Sequence, residues 1–452
     1  MPEPRTAAVV GGGPVGCLAA IALARRGWNV NIYEARPDLR DPSSKRTSQL
    51  RSINLAISHR GLAAIQVIHP LAAERFLQTC INSIDRALLN QSLLDEAASS
   101  PNIRLFFQHK VQLADFDNKT LTVLDVATGT PITVGFDFCV GADGSYSLIR
   151  RQMMKVLRMD FQQEYLKDEY VEFKLPAGRT SLGEPEFLLD PEHLHIWPRH
   201  SFMFIALPNQ DKSFTCTLFA PGSHFRDAFE LIGEESLATD WARNPRSPLI
   251  CTKSNPYHYL DRAILLGDAA HSMVPFYGQG LNCGLEDVRV LDTLLTQAKV
   301  EATVSDPLVT DPRLAGALAQ YSASRHDDLI AICDLAMANY LEMRHSVTTP
   351  VYLFRKALDG LLYSLTSRRG NSLPSLLPLL DRTTFATAVA GWIPLYTMVT
   401  FRPDIGYAAV KRRAERQSRV LSLLGWIGTG IMAGLWAAGI VLVSRRRSIP
   451  LR

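Results

Sequence analysis

The 452-residue sequence has no CxxC pair, no basic face interleaved with aromatic residues, and few charges, 20% of the chain. Each shortage removes a class of function. The seven cysteines, Cys17, Cys80, Cys139, Cys216, Cys251, Cys283 and Cys333, are odd in number and scattered. They offer neither a disulfide framework nor a zinc site of paired cysteines, and they fit a reducing compartment. A net charge of +4 without a basic stripe leaves no nucleic-acid footprint. The N-terminus enters an apolar run within a few residues, which leaves no room for a secretory leader. No nucleophile–base pair and no metal-ligand spacing stand out, so neither a catalytic side chain nor a metal site is expected. What remains is a chain that is 47% apolar, long enough for two domains or for one large α/β domain with insertions and a tail.

The clearest positive signal is N-terminal. The apolar strand Thr6–Val10 runs into GGGPVG at Gly11–Gly16, then a helix pattern with Gly27 as its stop, then the strand WNVNIYEAR with Glu34 near its end. Strand, Gly11-x-Gly13-x-x-Gly16, helix, strand and acid within about thirty residues make up the dinucleotide fingerprint. Gly11 permits the tight turn, Gly13 lets the backbone approach a pyrophosphate, and Gly16 lets helix and strand pack closely. The helix N-terminus presents unpaired N–H groups to the phosphates, and Glu34 is placed to accept from a ribose. The motif alone does not separate NAD from FAD.

Two further apolar strands end in a glycine–acid pair: FDFCVGADGSYSLIR (Phe136–Arg150) and LLGDAAHSMVPFYGQGLNCGLED (Leu265–Asp287). Three such segments resemble the aromatic-ring flavoprotein monooxygenases. The resemblance implies that the fingerprint holds the ADP half of FAD. It also implies that Asp143 lies near the flavin and the NADPH route, and that Asp268 meets the ribityl chain. Gly278 and Gly280 then leave backbone N–H groups against the flavin pyrimidine edge. A lone His271 reads as structural.

The blocks RSINLAISHRG (Arg51–Gly61), HIWPR (His195–Arg199), SFTCTLFAP (Ser213–Pro221), NYLEMRH (Asn339–His345) and IPLYTMVTF (Ile393–Phe401) resemble the branch of that family acting on L-kynurenine. The implied reaction uses NADPH and O2, forms an FAD C4a-hydroperoxide and gives 3-hydroxykynurenine, a step of tryptophan degradation toward NAD. By the same resemblance the cofactor residues are Gly11, Gly13, Val15, Gly16, Tyr33, Glu34, Arg36, Ala56, Arg86, Val111, Asp143, Asp268, Gly280, Leu281 and Asn282. Phe276 and Tyr277 flank the substrate ring, and Asn339 and Tyr396 hold its amino-acid end.

One stretch departs from the family. There, a strand with a Met-x-x-Arg motif and a tyrosine-bearing hairpin follow the helix after RSINLAISHRG. Here a single predicted helix, AAIQVIHPLAAERFLQTC, runs directly into INSIDRALLNQSLLDEA. Near residues 76–82 the arginine that meets the substrate carboxylate therefore has no counterpart. A shortened gene product and a diverged paralogue both fit this gap. A third reading follows from it: a membrane-tethered FAD protein that no longer hydroxylates.

At the far end, Leu421–Val443 carries no charge over 23 residues, with KRRAERQSR before it and SRRR after it. At 1.5 Å per residue it spans a hydrocarbon core of ~30 Å. It predicts a tail anchor in the mitochondrial outer membrane, or alternatively the endoplasmic reticulum, with the catalytic part cytosolic. The expected architecture is α/β: a doubly wound FAD domain from 1–164 and 257–340, a substrate-domain sheet over 165–256, C-terminal helices over 341–410 and a transmembrane helix over 421–443.

Overall fold

The computed structural model describes residues 3–41, 57–79, 86–209, 211–223, 244, 246–303, 309–366 and 391–423. Met1–Phe354 with Thr400–Asp404 form one compact unit, and Arg355–Val399 with Ile405–Arg452 form a second.

The first unit starts with β1 (Thr6–Val10), α1 (Pro14–Arg25) and β2 (Asn29–Glu34). The fingerprint thus folds as strand, turn, helix and strand, with Glu34 the last residue of β2. α1 is buried on nearly every side, so its small residues Ala19, Ala20 and Ala22 let the sheet and neighbouring helices close around it. Three helices follow: α2 (His59–Ile68), α3 (Pro70–Thr79) and α4 (Arg86–Ser99). The single helix expected across Ala63–Cys80 is two. Pro70 lacks an N–H and pushes the preceding residue out of the helical region, and His69 accordingly sits at φ −145°, ψ 83°. The gap expected near residues 76–82 starts within the last turn of α3, and residues 80–85 lie outside the described residues.

β3 (Ile103–Phe107) joins the first sheet, while β4 (His109–Asp115), β5 (Thr120–Asp125) and β6 (Thr130–Gly135) form an antiparallel meander. β7 (Phe138–Gly141) returns beside β1, and α5 (Leu148–Val156) follows it. β8 (Asp160–Leu175) then leaves for the second large sheet. There it is joined by β11 (His195–Pro198), β12 (Met203–Pro208), β13 (Phe214–Pro221) and β14 (Ser247–Asn255) in the order β11-β12-β13-β8-β14. A two-stranded ribbon of β9 (Gly178–Arg179) and β10 (Pro185–Glu186) lies between β8 and β11 in sequence. The boundary expected at 164 falls inside β8, whose sixteen residues pair along β14 from Asp160 to Tyr170. The apolar face of this sheet gathers Val171, Phe173, Ala206, Phe214, Cys216 and Ala220.

The chain then re-enters the nucleotide fold through β15 (His258–Tyr259) and β16 (Ala263–Leu265). That completes a six-stranded sheet in the order β15-β16-β7-β1-β2-β3, parallel except for the β15–β16 pair. A short 3-10 turn at Gly267–Ala269 and another at Pro275–Tyr277 lead into α6 (Gly280–Gln297) and the 34-residue α7 (Pro312–His345).

α8 (Pro350–Thr366) runs into the second unit, followed by α9 (Leu395–Phe401) and a helix over residues 407–423. Within that unit the Trp392 indole N–H donates to Asp359 Oδ1 at 2.9 Å, and Gln417 reaches the Ile393 carbonyl. No helix among the described residues is long and apolar enough to cross a membrane. The run Leu421–Val443 enters them only as the last turn of the 407–423 helix.

Candidate active site

A cleft of about 780 Å³ opens where β1, β2 and β7 end. Its floor is the glycine turn. Gly11 has φ 109°, and a Cβ there would meet the Ala142 carbonyl oxygen at 2.3 Å. A Cβ on Gly16 would lie 2.0 Å from the Gly11 carbonyl oxygen. Both positions are bare because protein backbone occupies the space. Gly13 is different, since a Cβ there would meet no protein atom within 4 Å. Its bareness faces the cleft, at the N-terminus of α1, as close approach of a phosphate group requires.

Glu34 closes one end. The Gly12 N–H donates to its Oε2 at 2.8 Å, and the Arg36 N–H and Nε both donate to its Oε1 at 2.9 Å. Burial would raise the Glu34 carboxyl, but the hydrogen bonds and charge of Arg36 outweigh it and hold the group below its ordinary value. Arg36 is therefore paired with the acid at the edge of the cleft, with 63% of its side chain still exposed. Val15, Tyr33 and Val111 line the same space.

Asp143 also lines the cleft, but its carboxylate accepts from the Leu148 and Ile149 N–H groups at 2.6 and 3.1 Å and from Ser147 Oγ. It holds the N-terminus of α5, and burial raises its pKa. Arg150, which the sequence reading passed over, ties this loop to the opposite wall. Its Nη2 donates to the Ser145 carbonyl and its Nη1 to the Ala269 carbonyl, each at 2.7 Å.

Opposite stands Asp268, in the middle of the 3-10 turn Gly267–Ala269. It is not a helix cap, and among the described residues no protein hydrogen bond engages its carboxylate. Beside it Gly278 takes the left-handed conformation at φ 62°, and Gly280 and Leu281 bring the first turn of α6 to the cleft. Asn282 does not line it. That side chain accepts from the Ser58 N–H and donates to the Gly278 carbonyl, both at 2.8 Å, so it clasps the turn from behind. Ala56 lies outside the described residues, as does the side chain of Arg86.

Behind this wall is a buried charge network. Asp287 Oδ2 accepts from the Gly267 N–H at 3.1 Å and from His271 Nε2 at 2.6 Å, while its Oδ1 accepts from Arg325 Nε at 2.9 Å. Arg325 Nη2 also meets Glu286 Oε2 at 2.9 Å, and Arg60 Nη1 meets Glu286 Oε1 at 3.2 Å. Burial pushes Asp287 upward, but the charges of His271 and Arg325 prevail and hold it below the ordinary carboxylate value. The sequence signal was available. Arg325 falls on the buried stripe Tyr321–Arg325–Leu329 of α7, and an arginine on such a stripe demands a buried anion. His271, Cys283 and Asp287 bring ligand-type atoms within 4.8 Å of one another. The Arg325 guanidinium already supplies the positive charge there, and burial keeps Cys283 a thiol.

Past Asp268 the cleft continues along Ser272, Met273 and Pro275 to Tyr170 and to Leu249 and Ile250 of β14. Phe276, next in the chain, stacks on Tyr340 at 4.3 Å and packs against Phe219 at 4.7 Å between ring centroids. Asn339 Nδ2 donates to the Phe276 carbonyl at 2.8 Å. Phe276, Tyr277 and Asn339 thus lie together, with both rings buried. Tyr396 sits on α9 with 60% of its surface exposed.

These features suit FAD: an acid for a ribose, an open glycine turn for a pyrophosphate, an unpartnered Asp268 for hydroxyls and a helix N-terminus for a polar ring edge. Residues 5–167 and 246–308 match the family described as FAD binding domain. The fold is shared with 2-methyl-3-hydroxypyridine-5-carboxylic acid oxygenase (21% identity, TM-score 0.57, 78% of this chain and 95% of that one). It is also shared with the tetracycline destructase Tet(51) (16% identity, TM-score 0.58, 79% and 95%). The class is that of FAD-dependent monooxygenases. The kynurenine 3-monooxygenase of Cryptococcus neoformans var. neoformans serotype D (strain B-3501A) is 40% identical over 96% of both chains. That of Yarrowia lipolytica (strain CLIB 122 / E 150) is 38% identical over 95% of this chain and 96% of its own. The chain belongs to the kynurenine 3-monooxygenase family.

The free carboxylate of Asp268 yields the first prediction. Asp268→Ala removes an acceptor from a buried ligand hydroxyl and weakens FAD binding by about 1–3 kcal/mol. Flavin retained per chain after gel filtration measures it, and full occupancy in the variant contradicts the assignment.

Proposed function

We propose that the chain hydroxylates L-kynurenine to 3-hydroxykynurenine, using NADPH and O2 with FAD held in the cleft. The observation that carries this reading is the continuity of one cleft, from the glycine turn past Asp268 to the wall beside the Phe276–Tyr340 stack. When bound, the flavin would take a hydride from NADPH and activate O2. The protein's part is to bind, orient and exclude water. The N–H groups at the start of α6 favour negative charge on a reduced ring edge. The aromatic residues offer a flat apolar neighbour for a substrate ring, and Asn339, anchored on the Phe276 carbonyl, fixes that segment against α7.

One observation favours a second reading. The alignment with the Cryptococcus relative runs over 499 positions while this chain has 452 residues, so at least 47 positions have no residue opposite them. A missing arginine segment would be among these. Losing a charge-assisted bidentate pair worth ~3 kcal/mol weakens substrate binding by about two orders of magnitude. The chain would then hold FAD without hydroxylating. Kynurenine-stimulated NADPH oxidation with formation of 3-hydroxykynurenine is the expected result. NADPH oxidation that ignores kynurenine and yields no product overturns the hydroxylase reading in favour of the second.

The uncharged run Leu421–Val443 between basic flanks forms, in this proposal, a membrane anchor in the mitochondrial outer membrane, the catalytic part facing the cytosol. Ending the chain at Ser418 then frees it from membranes with flavin content unchanged. A shortened chain that still sediments with carbonate-washed membranes rules the anchor out.

A further inference from the structure

A surface helix ordinarily turns its apolar side to the core and its polar side to solvent. α8 (Pro350–Thr366) does the opposite. The side it turns to the rest of the second unit is largely polar. Arg355 donates to Ser418 Oγ at 2.7 Å, and Asp359 Oδ1 accepts from the Trp392 indole N–H at 2.9 Å. Thr366 Oγ1 accepts from the Trp392 backbone N–H at 2.7 Å, and Leu362 is the one buried residue of the helix. Positions 355, 359, 362 and 366 follow the helical repeat and so share one side.

The outward side is apolar. Val351, Phe354, Leu358, Leu361 and Leu365 recur at steps of three and four along α8. Leu358 is partly buried, and the other four are 53–77% exposed. Apolar residues scattered singly over a surface need no explanation, but a contiguous row along one helix marks a surface made to be covered.

Two observations identify the cover. The first is where α8 is tied. The hydrogen bond from Arg355 to Ser418 fixes it to the helix over residues 407–423, three residues before the uncharged run opens at Leu421. The second is charge. Arg412, Arg416 and Arg419 recur at steps of four and three on that second helix, and all three are exposed. A basic row that stops just short of an apolar run is attracted to anionic lipid headgroups. A second copy of the chain is a poorer occupant, since the α8 row covers about two heptads where a helical seam needs roughly three to four.

We propose that α8 lies in the plane of a membrane surface containing anionic lipid, its Val351–Leu365 row sunk into the boundary between headgroups and acyl chains. The choice of occupant rests on the proposed anchor Leu421–Val443. The anchor crosses the bilayer while α8 rests on its near face, so the chain meets lipid at two places. Carbonate releases a surface-bound helix, so sedimentation of the chain ended at Ser418 reports on the anchor alone.

The experiment places the FAD-loaded full-length chain in vesicles of phosphatidylcholine and phosphatidylserine, with a fluorophore on one introduced cysteine. Leu361→Cys and Leu365→Cys mark the apolar row, Lys356→Cys the far side of α8, and Met432→Cys the middle of the run. The unaltered chain, taken through the same labelling, sets the background from its own cysteines. The labels at 361 and 365 are expected to lose emission to a lipid nitroxide placed near the headgroup and to be spared by aqueous iodide. The label at 356 is expected to show the reverse. Labels at 361 and 365 that iodide quenches and the lipid nitroxide spares overturn the proposal. So do labels that neither quencher reaches, the result of cover by residues 367–390 or by a second copy. The two exposed positions report independently, and flavin content equal to that of the unaltered chain verifies the fold of each variant. The label at 432 tests the anchor separately: if a nitroxide deep in the acyl chains leaves it bright, the anchor reading fails while the labels at 361 and 365 still decide α8.

Discussion

The carboxylate of Asp287 holds the structure's most consequential contacts. It takes the Gly267 N–H, His271 Nε2 and Arg325 Nε at once, so both ends of the segment bearing Asp268 are tied to α6 and α7. A fully buried anion is tolerable only when its partners replace water. Here one backbone N–H and two side chains do so, and Arg325 is shared with Glu286, which in turn holds Arg60 of α2. Removing one member strands the others as uncompensated charges, a loss on the order of 3–5 kcal/mol. The position of Asp268 relative to the first turn of α6 follows from this network.

The cleft in front of that network shows two kinds of bare backbone. Gly11 and Gly16 are bare because protein atoms already fill the place of a side chain, whereas Gly13 is bare toward open space. The first kind belongs to folding and the second to a ligand. The division suits a protein whose cofactor carries the chemistry. Its own side chains form walls, caps and clasps: Asp143 caps α5, Arg150 joins two loops, and Asn282 braces the turn at Gly278.

Much of this was legible in the sequence, for identifiable reasons. β1 starts and ends where its apolar run does, and Glu34 closes β2 as the fingerprint requires, because the motif carries strand, turn and helix within one short segment. The helix expected across His69 failed because the apolar spacing continued on both sides of Pro70 and masked its local veto. The boundary expected at 164 falls inside β8, a continuous strand over Asp160–Leu175. Asn282 was expected at the cofactor and instead braces the loop, a distinction that depends on side-chain direction rather than on motif position.

The claim that the charge network sets the cofactor wall can be measured at a residue that lines no part of the cleft. Asp287→Asn keeps the shape of the side chain but must turn an amide N–H toward one of three donors. Equilibrium FAD binding to the purified variant, with circular dichroism recorded on the same preparation, is the direct test. A dissociation constant at least tenfold higher, about 1.4 kcal/mol, in a chain that remains folded is the predicted result. An unchanged dissociation constant contradicts the account.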